Sequence, residues 1–179
     1  NVLVPLAGVP LGHAEWATAQ FGVGLLFWPV VLTLLVVRLA IQGPWPERLL
    51  PTAFIVIAPP VVIGLSLLQL GAPPLWGWAC WGMGMFSFVW AAALTRRIAA
   101  MPFGLPHWGM SFPLAALAAL TLRLAQPGQP MAWAGLMLLA LASLLIAALV
   151  LATVRGLRDG SLLAPEPVAT LAPAAVQPA

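Results

Sequence analysis

The sequence predicts an all-α integral membrane protein, and three observations carry that prediction. Of 179 residues, 63% are hydrophobic and 6% are charged, with a mean hydropathy of +1.05; soluble domains carry about 25% charged residues. Five apolar stretches follow one another: Ala17–Ile41, Pro51–Leu70, Leu75–Thr95, Leu105–Ala125 and Met131–Val154. Each suffices for the roughly 20 helical residues that cross a hydrocarbon core about 30 Å thick. The breaks between them carry turn chemistry.

Helices are selected over strands because these runs far exceed the roughly 10 residues of a membrane barrel strand. The breaks Gln42-Gly43-Pro44-Trp45-Pro46, Gly71-Ala72-Pro73-Pro74 and Gln126-Pro127-Gly128-Gln129-Pro130 are short. Consecutive spans therefore run antiparallel as hairpins. The opening Asn1-Val2-Leu3-Val4-Pro5-Leu6-Ala7 reads as the tail of an apolar segment. Residues 1–16 are thus expected to be the end of a truncated helix and an external loop. The sequence is then the C-terminal part of a longer protein. Residues 17–158 form the five-helix transmembrane domain. Residues 159–179, rich in Pro and Ala without amphipathic pattern, are expected to be a disordered cytoplasmic tail.

Arginine placement sets the orientation. Arg38 and Arg48 flank the first full loop, Arg96 and Arg97 the third, and Arg155 and Arg158 follow the last span; only Arg123 lies on the other side. The positive-inside rule makes the arginine-rich side cytoplasmic, with the C-terminus inside the cell (inner) membrane. Trp76, Trp78, Trp81 and Trp133 would then mark the outer interface, and Trp45 and Trp108 the inner one.

The same residues exclude several functions. The formal charge of +3 comes from scattered arginines, so no nucleic-acid surface is expected. Cys80 is alone. His13 and His107 fall at opposite membrane faces, and His13 with Glu15 reads as an interfacial pair. No nucleophile–base pair, phosphate loop or metal spacing occurs, so neither an enzyme nor a cofactor is implied. Charges inside the spans are nearly absent, which argues against a carboxylate proton relay and a tight ion site but leaves room for a weakly binding pore.

Two spans carry the candidate site. In the second, Thr52, Pro59 and Ser66 recur every seven residues, and Pro59 and Pro60 are expected to kink the helix. Freed carbonyls and hydroxyls on that stripe would line an aqueous path, or neighbouring helices would fill the kink. In the fourth, Phe112, Ala116, Ala119 and Arg123 share one helical face, with Ser111 and Pro113 at its start. Phe112, about 5 Å from the middle of the span, is either a ring that plugs a narrow pore or a core residue. Arg123, about 16 Å further on, either attracts anions to the outer mouth or snorkels to headgroups. Gly77, Gly82 and Gly84 in the third span are expected to permit close helix contact.

Pro51-Thr52-Ala53-Phe54-Ile55-Val56-Ile57-Ala58-Pro59-Pro60 and Trp108-Gly109-Met110-Ser111-Phe112-Pro113-Leu114-Ala115-Ala116-Leu117 resemble the tellurite-resistance/dicarboxylate transporter family. That family includes bacterial tellurite-resistance permeases, yeast malate and sulfite transporters and plant slow anion channels. Pro46-Glu47-Arg48-Leu49 also fits, and the resemblance runs from residue 1 to about 158. It implies ten helices in five hairpins around a pore, odd helices inside and even ones outside. This sequence would hold the end of the fifth helix and helices six to ten, and alone would not close the pore. The second and fourth full spans would be inner helices, and the family's gating phenylalanine falls on Phe112. The resemblance further implies homotrimers and an anion channel or transporter for small anions or four-carbon dicarboxylates. Two alternatives stand beside it: a proton-coupled exporter of the same fold (sulfite, malate, tellurite resistance) and a non-conducting membrane scaffold.

Overall fold

The computed structural model describes residues 1–43 and 45–163, all of them helical or in connections, with no strand among them. Residues 164–179, most of the predicted disordered tail, lie outside the described residues. The helices are α1 (Val4–Gly8), α2 (Ala14–Gln42), α3 (Ala58–Gln69), α4 (Pro74–Ala92), α5 (Thr95–Ala99), α6 (Ser111–Leu124) and α7 (Pro130–Arg158). Two 3₁₀ segments, Glu47–Ile57 and Leu105–Met110, lead directly into α3 and α6. A third, Ser161–Leu163, follows α7. There the Ser161 hydroxyl and backbone N–H hold the Asp159 carboxyl below its ordinary pKa.

Four helical runs are long and apolar enough to cross a membrane: Ala14–Gln42, Glu47–Gln69, Leu105–Leu124 and Pro130–Arg158. The protein is therefore an all-α membrane protein. The third predicted span appears as α4, 19 residues long, and is not among these four. Helix α5, between α4 and the second 3₁₀ segment, was not expected from sequence.

Burial divides these elements into two layers. In the most apolar stretches of Glu47–Gln69 and Leu105–Leu124, 67% and 44% of residues are buried, against 0% and 11% in the most apolar stretches of α2 and α7. The inner pair packs along its whole length, 3₁₀ segment on 3₁₀ segment and α3 on α6. Its core includes Leu50, Ile57, Val61, Leu117 and Leu120. Outer helices lean on it mainly through small residues. Helix α7 buries Gly135, Ala142, Leu149 and Gly156, one every seventh position. Helix α4 buries Gly77, Cys80, Gly84 and Ala91. Without a hydrophobic drive between helices in lipid, such side chains let backbones approach and gain dispersion contact. A Cβ on Gly84 would collide with Val61, and one on Gly64 would lie 2.7 Å from the Cys80 Cβ.

Helix α3 closes on Gly71, at φ +82°, where the Ala72 N–H reaches the Leu67 carbonyl at 2.9 Å. Glycine adopts that left-handed conformation without steric cost and turns the chain into α4.

Candidate functional site at the open face of the inner helices

The prolines expected to kink the inner helices do something different. Pro59 and Pro60 are the second and third residues of α3, and Pro113 is the third of α6. First-turn N–H groups have no intrahelical acceptor, so proline costs nothing there. Upstream, the β-branched Thr52, Ile55, Val56 and Ile57, and the Pro106–Gly109 pair, are weak α-formers. Both inner runs thus start as 3₁₀ and convert to α at a proline.

That conversion changes the second span's stripe. Three residues per turn replace 3.6 over Glu47–Ile57, so Thr52 is out of register with Pro59 and Ser66. Thr52 is half-buried, and its hydroxyl donates to the Leu49 carbonyl at 2.6 Å. Pro59 is half-buried; Pro60 is buried on the side facing α2 and α4. Ser66 is fully buried and donates to the Val2 carbonyl at 2.6 Å. It anchors the N-terminal segment rather than an open surface.

On α6 the stripe is sharper. Phe112 is 49% exposed, Ala119 and Arg123 are exposed, and Ala115 is half-buried. Pro113, Leu114, Ala116, Leu117, Ala118 and Leu120 are buried on the other side. Ala116 therefore packs inward, while Phe112, Ala119 and Arg123 share an open face. Ser111, half-buried, donates to the Trp108 carbonyl at 2.7 Å. Ile55 is a bulky inner-layer side chain, 50% exposed, that the sequence reading missed. It lies against Gly109, three residues before Phe112. The 3₁₀ geometry turns it outward, and no sequence period signals that.

Two interhelical clasps hold α6 and the 3₁₀ segment that leads into it. Trp81 Nε1 donates to Thr121 Oγ1 at 3.0 Å, and Thr121 donates to the Leu117 carbonyl at 2.7 Å. Trp108 Nε1 donates to Thr153 Oγ1 at 3.0 Å, and Thr153 to the Leu149 carbonyl at 2.7 Å. Trp81 and Trp108 thus face neighbouring helices, whereas Trp76, Trp78 and Trp133 are exposed. Charge stays off the open face except at Arg123. Glu15, Glu47 and Asp159 lie at helix ends, and no three His, Cys, Asp or Glu residues come together among the described residues. The geometry sets an apolar ring and one cation on the same open face of α6.

These features define a class: a multi-pass helical membrane protein with a buried inner layer and one weakly polar open face. Residues 1–154 match the voltage-dependent anion channel family (SLAC1), and the chain belongs to that family. It is 24% identical over 124 residues to the S-type anion channel SLAH2 of Arabidopsis thaliana. That match covers 69% of this chain and 24% of the relative's length. No solved structure matches at the same significance.

Proposed function

We propose that the complete protein is a passive anion pathway gated by Phe112. Small inorganic anions or four-carbon dicarboxylates pass along the open face of α6, Phe112 closes the path, and Arg123 enriches anions at its mouth. One observation carries this reading. On a helix whose neighbouring large residues are buried, Phe112 stands half-exposed in line with Ala119 and Arg123. Within this chain the ring is not enclosed, unlike Leu114, Leu117 and Leu120 on the same helix. Membership of an anion channel family supports the transported charge. The family resemblance supports a homotrimer in which each subunit carries its own pathway.

Phe112→Ala in the complete protein tests the gate. Removing a fully buried Phe costs about 3–5 kcal/mol. At half exposure the loss should be closer to 1 kcal/mol, because much less apolar surface leaves its packing. The expected result is at least a tenfold rise in liposome chloride or malate flux with little change in thermal stability. Unchanged flux with a large stability loss would support the scaffold reading. Flux that depends steeply on a proton gradient would support the coupled exporter.

A further inference from the structure

Helix α2 stands away from the bundle. After Ala17 and Phe21 none of its residues is buried, and a lateral cleft of about 610 Å³ opens between it, α3 and α4. One wall runs from Trp28 to Leu39 on α2, the other from Gly82 to Trp90 on α4, and Pro60 lies in the floor. Trp28 and Gly82 both sit near the midpoints of their helices. The cleft therefore begins at mid-membrane and ends at the arginine-bearing side. Its length is about 16 Å at 1.5 Å per residue, the depth of one leaflet of a core about 30 Å thick.

The lining suits a hydrocarbon. Its only hydroxyl, on Ser87, donates back to the Met83 carbonyl at 2.9 Å. A Cβ on Gly82 would meet nothing within 4 Å, whereas Gly77 and Gly84 are tightly packed. Close helix contact thus explains Gly77 and Gly84 but not Gly82, which widens the cleft. Spread over its length of about 16 Å, the volume gives a mean section of about 40 Å², which accommodates an extended acyl chain.

The mouth is cationic. Arg38, half-buried, directly precedes Leu39 and reaches the Gly43 carbonyl at 3.4 Å. Trp90 packs edge-on to Trp45 at 5.9 Å beside it, as indoles do at the headgroup level. Arg48, Arg96 and Arg97 lie at the same end, where Glu47 is paired with Arg97 at 3.3 Å.

We propose that this cleft holds one acyl chain of an anionic phospholipid, with its phosphate at Arg38. The proposal is independent of the anion pathway, because no residue of α6 lines the cleft. The complete protein, reconstituted in vesicles of equal phosphatidylglycerol and phosphatidylcholine and then re-extracted, is examined by native mass spectrometry. The wild type should retain about one phospholipid per chain, phosphatidylglycerol exceeding phosphatidylcholine several-fold. Gly82→Phe and Ser87→Phe, which fill the cleft from adjacent turns, should each lower retention at least tenfold with unchanged helix content. Arg38→Gln should keep a lipid but lose the headgroup preference. No retained lipid in the wild type, or equal retention in both filled variants, would overturn the proposal. A loss of oligomeric state in the filled variants, with no lipid in the wild type, would assign the cleft to a second copy instead.

Discussion

Arg123 shows how one side chain separates two readings. It is exposed at the end of α6, in line with Phe112. A snorkelling arginine affects insertion and leaves permeation alone. One that enriches anions acts through a screened field: the Debye length is about 10 Å at 0.1 M salt and 3 Å at 1 M. Arg123→Gln in the complete protein should therefore lower anion flux several-fold at low ionic strength and converge with wild type near 1 M. Equal flux at every salt concentration would remove Arg123 from the pathway. Phe112, Ala119 and Arg123 were legible in the sequence because they recur at helical spacing on a run that is α-helical in the structure. Ser66 was legible as polar but not as buried. Its partner, the Val2 carbonyl, lies 64 residues away, and no local pattern reports such a contact.

At the scale of elements, the long apolar runs were readable and the 3₁₀ geometry that opens two of them was not. Hydrophobic runs mark a crossing whether the backbone winds as 3₁₀ or α, so Pro51–Leu70 was expected as one span although the first 11 residues of Glu47–Gln69 are 3₁₀. Proline alone cannot distinguish a kink from a first turn, because both follow from its missing N–H. The glycines of α4 were likewise visible as a group and divided only by their surroundings. Gly84 lies against Val61 where α4 crosses α3, so Gly84→Leu forces the helices apart. Overpacking of this kind costs about 1–3 kcal/mol. The same substitution at Gly82 enters open space and should leave stability within about 0.5 kcal/mol. Thermal unfolding of the two variants in one detergent measures the difference, and equal losses would contradict the assigned packing.

For the whole molecule, the inner and outer layers were implied by the family resemblance, and the proline motifs of the second and fourth spans fell on the two most buried runs. The cleft beside α2 could not be anticipated, since it depends on how far one helix leans from the rest. The arginines give the molecule its second large-scale property. Arg97 pairs with Glu47 across two loops, the two 3₁₀ segments pack together, and Trp108 is hydrogen-bonded to Thr153 near the end of α7. These links gather the ends that carry Arg38, Arg48, Arg96, Arg97, Arg155 and Arg158 on one side, with Arg123 on the other. Short positively charged loops resist translocation, so the side with six arginines should face the cytoplasm. A green fluorescent protein joined after residue 179 of the complete protein should then be bright, and an alkaline phosphatase at the same point inactive. An active phosphatase with a dark fluorescent fusion would invert the topology. It would also move Arg123 to the cytoplasmic mouth, where it would act on anions leaving the cell rather than entering it.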